Sequence, residues 1–198
     1  MTPDSLKRCP WGPGGGELMQ QYHDEEWGKP VHDDNTHFEF LVLEMFQAGL
    51  SWLTVLRKRE AFRKAFAHFD PKRVSKFGAE DIARLLADAG IIRNRLKIEA
   101  AVNNAGRFLE VQKESGSFDK YIWGFVGGKP VINKWKTISE IPPRTELSDR
   151  VSADLKERGF KFAGSTIVYA HLQATGLVND HITSCFRYRE VSVEGKKH

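Results

Sequence analysis

The sequence predicts an all-helical protein. Apolar residues recur at helical spacing through most of the chain, whereas the strand-like stretches are brief. A length of 198 residues, with 40% hydrophobic and 28% charged residues, suits one buried core or two small lobes that share a cleft. The chain also contains no internal repeat, and its only low-complexity tract is the glycine run at residues 14–16. We therefore expect residues 1–198 to form a single folded unit.

Helix-start and helix-stop residues place the helices in order. Asp34 or Asn35 can cap a first strong helix that runs to Ala48, where Gly49 ends it, and Ser51 can cap a second helix toward Phe69. The later predicted helices begin after the Asp70 cap and then cover Glu80–Ala89, Arg95–Glu114, Glu146–Arg158 and Ser165–Thr175. This pattern amounts to roughly seven or eight helices of ordinary length.

Charge and cysteine content narrow the function classes only slightly. Thirty basic and 26 acidic residues give a formal charge of +4, which is compatible with a polyanionic partner without being diagnostic. No stretch is apolar for long enough to cross a bilayer, and Met1–Ser5 lacks the apolar run of a secretory signal, so we expect a cytoplasmic protein without membrane contact. In that compartment Cys9 and Cys185 are more easily explained as metal ligands or buried thiols than as a disulfide.

The segment Leu85–Arg95 has the pattern of a helix-hairpin-helix element that binds DNA. A turn at Gly90 would expose backbone N–H groups near the start of the second helix, where they could bind a phosphate. Arg93, Arg95 and Lys97 would add positive charge beside that turn. An ordinary helical hairpin with solvated basic residues explains the same pattern, and it is the more common case when the segment is taken alone.

Four residues near the two ends of the chain form a possible metal-binding set of two cysteines and two histidines. Cys9 and His23 lie near one end, and His181 and Cys185 lie near the other. Such a set would suit a closed tetrahedral zinc site that clamps the termini and leaves no position for a reactive water. Spacing alone favours simple buried residues, because the Cys9–His23 interval matches no familiar finger. Four other histidines we interpret as surface or packing residues: His32, His37, His68 and His171.

Glu44 is a carboxylate in a segment that is apolar on nearly every side. Its helical neighbours offer no cation, and it lies near the helix C-terminus, where the helix dipole disfavours negative charge. It could be a pocket acid that binds a ligand or acts in catalysis, or it could pair with a distant Arg or Lys. The residues themselves leave both explanations open.

Aromatic residues accompany this carboxylate. Trp52 follows Glu44 closely in the sequence, and Tyr22 and Trp27 flank His23. Flat aromatic faces beside a carboxylate suit a planar, electron-poor base, although core packing is their more common role. We assign three further tryptophans to core packing, namely Trp11, Trp123 and Trp135.

Five ordered blocks resemble 3-methyladenine DNA glycosylase I, and together they cover nearly the whole chain. Any one block alone would be unspecific, whereas five in order are highly specific. The blocks are residues 22–28 (YHDEEWG), 47–56 (QAGLSWLTVL), 88–93 (DAGIIR), 158–162 (RGFKF) and 176–181 (GLVNDH).

The resemblance implies a helix-hairpin-helix glycosylase fold with two lobes around a base-binding cleft and with the termini joined by one structural zinc. The family's zinc ligands fall on Cys9, His23, His181 and Cys185. Its base pocket falls on Glu44, Trp52 and Tyr22, next to Trp27, and its DNA contacts fall on Gly49, Leu50, Gly90, Ile91, Ile92 and Arg93. Three features depart from the family pattern, namely Met19 in place of a second tyrosine, Phe46 in place of a polar residue, and the inserted glycine run.

The resemblance further implies an activity. The expected reaction is hydrolysis of the N-glycosidic bond of 3-methyladenine in double-stranded DNA, which releases the base and leaves an abasic site. Asn94 falls where a lyase-competent relative carries a nucleophilic lysine, so no lyase activity is expected. We expect a monomer without an obligate protein partner. A noncatalytic DNA-damage binder and a zinc-dependent interaction module are the alternatives, and neither would release a free base.

Overall fold

A computed structural model of the chain describes residues 6–194. Within this range the fold is mostly helical, and the only sheet is a parallel pair of two-residue strands. The Met1–Ser5 segment lies outside the described residues. The α-helices are α1 (Trp11–Gly14), α2 (Glu17–Glu25), α3 (Asp34–Gln47), α4 (Trp52–Ala65), α5 (Pro71–Val74), α6 (Ala79–Ala87), α7 (Arg95–Ser115), α8 (Phe118–Gly124), α9 (Glu146–Glu157), α10 (Ser165–Ala174) and α11 (Phe186–Glu194). The strands are β1 (Val131–Ile132) and β2 (Val178–Asn179).

The capping residues were located well by sequence, with one shift. Ser51 and Asp70 cap α4 and α5 with their side chains, as predicted. Asp33, rather than Asp34 or Asn35, caps α3, since its carboxylate accepts from the Thr36 amide at 2.8 Å. Asp34 instead accepts from the backbone amides of Phe118 and Asp119, so it ties α3 to α8.

The predicted number of helices was too low, because the described residues contain eleven α-helices. Short elements such as α1, with four residues, carry no detectable periodicity. The second long helix also ends earlier than predicted. It stops at Ala65, and the chain continues through a 3₁₀ turn at Ala67–Phe69 with positive φ angles, which brings Phe66 and Phe69 into the core.

Helix α3 lies at the centre of the fold and contacts α4, α7, α8 and α10. Nine of its fourteen residues are buried. This burial explains why its sequence is apolar on nearly every side. Large side chains such as Phe38, Phe46 and Phe108 fill the surrounding core.

Two hydrophobic clusters divide the interior. The larger one surrounds α3, and the smaller one joins the N-terminal helices to the C-terminal region through residues such as Tyr22, Ile182 and Cys185. Trp52 packs against both clusters. Among residues 6–194 no helix is long and apolar enough to cross a membrane.

Candidate active site and metal centre

A cavity of about 230 Å³ lies where the two hydrophobic clusters meet. It opens to solvent and is walled mainly by aromatic side chains. The helices α1, α2, α3, α4 and α10 contribute its lining residues. These are Trp11, Met19, Tyr22, Trp27, Glu44, Gln47, Trp52, Ala170 and Gln173.

Glu44 supplies the only carboxylate in this lining. Its side chain is 4% exposed, and within residues 6–194 it makes no hydrogen bond or ion pair. Burial raises the pKa of Glu44 to about 8, because removing the charged form from water is costly. The structural ion pair that the sequence left open is therefore absent from the described part of the chain. The nearby buried ion pair involves Glu39 instead, which bonds to Arg59.

Tyr22 and Trp52 lie close together on the aromatic walls. Their ring centroids are 5.4 Å apart, and Trp52 in turn stacks against Phe40 at 6.5 Å. Burial first, and then the charge of Glu44, raise the pKa of Tyr22, so its hydroxyl stays protonated. Trp27, the third predicted aromatic residue, also faces the cavity. The structure thus brings Glu44, Trp52, Tyr22 and Trp27 together around one pocket.

Four further lining residues were not predicted as parts of the pocket. Trp11 was assigned to core packing, and it does pack against the smaller cluster, but its half-buried ring also meets Trp27 edge-on at 5.0 Å and lines the cavity. Gln47 lies one turn after Glu44 on α3 and could have been found from that spacing. Ala170 and Gln173 come from α10, and no signal in the sequence connects them to the pocket.

A second cluster, formed by Cys9, His23, His181 and Cys185, lies beside this pocket and is fully buried. The potential ligand atoms of these residues all lie within 4.8 Å of one another. The Cys185 Sγ is 3.4 Å from His23 Nε2 and 3.6 Å from His181 Nδ1, and Cys9 Sγ is also 3.6 Å from His181 Nδ1. A zinc tetrahedron with Zn–S near 2.3 Å and Zn–N near 2.05 Å has S···N edges of about 3.6 Å. The donor set and its dimensions therefore fit a metal ion.

The outer nitrogens of both histidines have partners that fix the ring orientation. His23 Nδ1 donates to Asp24 at 2.8 Å, and Arg8 pairs with the same carboxylate. His181 Nε2 donates to the Trp27 carbonyl oxygen at 3.0 Å. Gly28 allows this approach, because a Cβ there would lie 3.0 Å from His181 Nε2 and the φ angle is +81°. The inner nitrogens are thereby left as lone-pair donors that face the two thiols.

One of the two thiols is already acidic in this arrangement. The hydrogen bond from Cys9 lowers the pKa of Cys185 most, and contacts with His181 and His23 lower it further, although burial opposes them. The same hydrogen bond, together with burial, raises the pKa of Cys9, so the arrangement favours the thiolate at Cys185 alone, whereas metal ligation requires thiolates at both positions.

Comparison with known proteins places the chain in a family. A family model described as methyladenine glycosylase matches residues 11–188. The chain belongs to the methyladenine glycosylase family. The resemblance seen in the sequence is confirmed.

Individual members of the family are similar over almost their full lengths. DNA-3-methyladenine glycosylase 1 of Escherichia coli (strain K12) is 47% identical over 183 residues, which cover 92% of this chain and 97% of that protein. A crystal structure of 3-methyladenine DNA glycosylase I superposes with a TM-score of 0.87 at 48% identity, covering 91% and 98% of the two chains. A solved variant in complex with 3-methyladenine superposes with a TM-score of 0.86 at 37% identity, covering 89% and 96%.

Two departures of this methyladenine glycosylase from the family pattern differ in their position. Met19 lines the pocket, so it replaces a tyrosine where a base would contact the protein. Phe46 is fully buried among Phe62 and Phe66, away from the pocket. Of the two residues, only Met19 therefore adjoins the space that the pocket encloses.

The loop between α3 and α4 lies at the pocket mouth of this glycosylase. Leu50 is 44% exposed, although it is a large apolar residue. Gly49 has a φ angle of +84°, a conformation that favours glycine and lets the chain turn sharply before Ser51. Gln47 and Trp52 both line the pocket, so the exposed Leu50 belongs to a loop that adjoins it.

The hairpin between α6 and α7 is present, but it differs from the predicted phosphate site in three respects. The Gly90 N–H donates to Asp88 at 2.7 Å, so it is not free. Ile91 is 2% exposed and belongs to the core. Lys97 is also buried, because its ammonium group donates to the carbonyl oxygens of Phe46 and Ala48.

Two predicted residues of this hairpin remain accessible. Within the described range the Ile92 and Arg93 amides have no acceptor, and the Arg93 side chain is exposed. Asn94 is occupied as the N-cap of α7, where it accepts from the Lys97 amide. The hairpin thus leaves fewer free groups for a phosphate than the sequence suggested.

A second helical hairpin, between α9 and α10, was not predicted as a contact surface. The Gly164, Ser165 and Thr166 amides find no acceptor among residues 6–194. Asn104 holds the preceding loop by bonding to both the N–H and the carbonyl of Lys161. The RGFKF block in the sequence was the signal for this loop, but the amide pattern is visible only in the structure.

Proposed function

We propose that this chain removes 3-methyladenine from alkylated DNA by hydrolysing the N-glycosidic bond, which leaves an abasic site. The observation that carries the proposal is the unpaired, buried carboxylate of Glu44 in an aromatic pocket of a methyladenine glycosylase family member. Relatives in this family are named for the same activity, and one is solved with 3-methyladenine bound.

Recognition of a cationic base explains both parts of the pocket. Adenine methylated at N3 within DNA is positively charged, so it stacks favourably on the aromatic walls that Tyr22 and Trp52 form, with Trp27 closing the pocket. Glu44 accepts a hydrogen bond from the amino edge of the base. The positive charge of the base also favours the ionised form of Glu44, which burial alone disfavours. An undamaged purine lacks the positive charge that strengthens both the stacking and the contact with Glu44, so it is bound more weakly.

Water rather than an enzyme amine completes the reaction in this proposal. None of the nine pocket-lining residues is a lysine, and the Asn94 side chain is engaged in capping α7. The charged base is a good leaving group, so a strong acid is not required. Hydrolysis without strand cleavage follows from these two features.

We further propose that Cys9, His23, His181 and Cys185 hold one zinc ion with a structural role. Four protein ligands would complete the tetrahedron, so the bound ion would supply cross-linking rather than chemistry. Its ligands come from the segment before α1, from α2 and from the segment between β2 and α11. The ion would therefore fasten both ends of the chain to the wall of the base pocket.

The DNA-binding face in this proposal consists of the Leu50 loop and the two helical hairpins. Leu50 fills the space left by the extruded nucleotide, and Gly49 permits the close approach of the backbone. The Ile92 and Arg93 amides, the Arg93 side chain and the amides that begin α10 bind phosphates. Gly90 and Ile91 support the first hairpin through packing. We propose a monomer that acts on double-stranded DNA and belongs to the helix-hairpin-helix superfamily.

A base-release assay tests the proposed function. The purified protein is incubated with duplex DNA methylated at N3 of adenine, and the released bases are separated and identified. We expect free 3-methyladenine and abasic sites, with strands that break only after alkali treatment. A protein that binds the methylated duplex without releasing a base would instead be a noncatalytic damage binder.

A further inference from the structure

Asp180 is a buried carboxylate that accepts hydrogen bonds from four side chains. Its Oδ1 accepts from Asn133 at 2.7 Å and from Trp135 at 2.6 Å. Its Oδ2 accepts from the Tyr169 hydroxyl and from Gln173 Nε2, the latter at 2.7 Å. Among the described residues it has no ion pair with Lys, Arg or His. A carboxylate offers about four acceptor positions, so all those of Asp180 are filled by neutral donors.

Gln173 connects this carboxylate to the base pocket. It is half-buried on α10, a helix that packs against α3, and it lines the same cavity as the α3 residues Glu44 and Gln47. A carboxylate can only accept hydrogen bonds, so the amide of Gln173 must direct its NH₂ group toward Asp180. The Oε1 atom is then the acceptor left for the pocket, and it makes no hydrogen bond within residues 6–194.

We propose that Gln173 is a specificity-determining residue whose Oε1 accepts a hydrogen bond from the exocyclic amino group of the bound base, and that Asp180 is a positioning residue that fixes this orientation. This inference rests on the proposed function. An exocyclic amino group has two N–H donors, and Glu44 on α3 and Gln173 on α10 can each accept one of them. In 3-methylguanine a carbonyl oxygen takes the place of this amino group. That oxygen would face Gln173 Oε1, and two hydrogen-bond acceptors repel each other.

Glu44 alone would not provide this discrimination. Because burial raises its pKa to about 8, its carboxyl group can keep a proton in the empty pocket and donate it to the carbonyl oxygen of a neutral free base. Gln173 has no such freedom, since rotating its amide would direct Oε1 at Asp180. The fixed amide of Gln173 therefore selects a base whose edge carries an amino group. The carboxyl group of Glu44 can bind an edge with either an amino group or a carbonyl oxygen.

The test compares the release of 3-methyladenine and 3-methylguanine from the same methylated duplex DNA, for the wild type and for Gln173→Met. Methionine keeps the length and removes the acceptor. We expect the ratio of the two initial rates to fall roughly tenfold, through slower release of 3-methyladenine. Binding of the two free bases, followed by quenching of tryptophan fluorescence, should show the same change in ratio. An unchanged ratio would overturn the proposal, as would an equal loss for both bases.

Two variants around Asp180 test the positioning role. Asp180→Asn should free the Gln173 amide and lower the ratio as Gln173→Met does. Tyr169→Phe is the matched control, because it removes a donor from the same Oδ2 atom but leaves the Gln173 contact in place. We expect Tyr169→Phe to lower the melting temperature without changing the ratio. If both variants lower the ratio equally, selectivity follows stability and Asp180 does not position Gln173.

Zinc content is measured on each variant, because His181 follows Asp180 in the chain. Asp180→Asn protein that keeps its metal but has the wild-type ratio would also contradict the positioning role. The assay separates this inference from the proposed function. A wild-type protein that releases no base would contradict both the proposed function and this inference. Normal release with an unaltered ratio of the two rates in Gln173→Met would contradict this inference alone.

Discussion

Glu44 lies three residues before the end of α3, where the helix dipole opposes a negative charge. It has no cation within the described chain, and its side chain is almost completely removed from water. Keeping an ionised carboxylate there lowers the stability of the empty protein. A cationic base in the adjoining pocket would offset this cost. The unfavourable burial of the Glu44 charge is thereby connected to ligand recognition.

Replacing Glu44 with glutamine should impair base binding while preserving the fold. Glutamine keeps the shape but removes the charge, and a lost charge-assisted hydrogen bond costs about 1.5–3 kcal/mol. We expect affinity for free 3-methyladenine and its rate of excision to fall roughly ten- to a hundredfold. Glu39→Gln is the matched control, since Glu39 lies on the same helix but is bonded to Arg59 and Arg63.

The control variant should behave in the opposite way. Glu39→Gln breaks a buried ion pair, so it should lower stability by several kcal/mol while the folded fraction binds 3-methyladenine normally. Melting temperature and free-base affinity are measured on the same preparations. Normal affinity with a collapsed melting temperature in Glu44→Gln would show that Glu44 has the structural role instead.

The raised pKa of Glu44 predicts a specific pH dependence of stability. Unfolding returns this group from a pKa of about 8 to its ordinary value of 4.5. Between these two values the unfolded chain binds fewer protons, so the free energy of unfolding falls as pH rises through this window and levels off above it. Glu44→Gln removes this pH-dependent fall in the free energy of unfolding. The variant should gain stability relative to wild type from pH 5 to pH 8, by an amount on the order of a few kcal/mol. Paired denaturant titrations at these pH values check this, and parallel wild-type and variant curves would contradict it.

At the scale of the elements, Lys97 joins α7 to the end of α3 that borders the pocket. It lies in the first turn of α7 and donates to two carbonyl groups at the C-terminal end of α3, those of Phe46 and Ala48. These carbonyls have no further helical partner, and a positive charge is favourable at this end of a helix. Burial lowers the pKa of Lys97, whereas its hydrogen bonds to the two carbonyl oxygens favour the protonated ammonium form. The contact fixes the start of the Gly49–Leu50 loop.

Substitution of Lys97 by methionine should therefore destabilise the protein and loosen this loop. The two lost bonds leave buried carbonyls unsatisfied, which costs about 1–3 kcal/mol. We expect a lower melting temperature together with weaker binding to duplexes that contain an abasic site. Arg95→Met is the control, because Arg95 is exposed on the same turn and should leave the melting temperature unchanged. Equal effects of the two substitutions on stability would contradict the capping role.

The metal cluster predicts a stability effect that is separate from catalysis. Cys185→Ala should remove bound zinc and lower the melting temperature by about 10 °C or more, because the two ends of the chain lose their cross-link. Residual base release should persist at low temperature, since none of the four ligands lines the pocket. Metal analysis by plasma mass spectrometry, with Asp24→Asn as a variant that keeps all four ligands, checks the assignment. Folded wild-type protein without zinc would refute it.

At the scale of the whole molecule, the pocket mouth and the hairpins should make separable contributions to DNA binding. Arg93→Ala should weaken binding to every duplex and reduce the slope of log affinity against log salt by about one. Leu50→Ala should leave undamaged duplex binding intact and lower the affinity for abasic-site DNA roughly tenfold, because a buried leucine contributes about 1.5–3 kcal/mol. Titrations of both duplexes at several salt concentrations separate the two effects. Unchanged affinities in both variants would exclude this face.

The sequence by itself determined the features that depend on residue type or on nearest neighbours. The caps at Ser51 and Asp70, the set of two cysteines and two histidines, and the anomaly of Glu44 were all visible there, because capping, ligand chemistry and charge are local properties. The blocks that carry the family resemblance belong to this group.

Only the tertiary structure decided which distant residues share a site. It placed Trp11 and Gln173 in the pocket, and it buried Lys97, which the sequence suggested was a DNA contact. It also brought four donors to Asp180. These outcomes depend on how α3, α7 and α10 pack against each other, and helical periodicity gives the buried face of a helix but not the partner it meets.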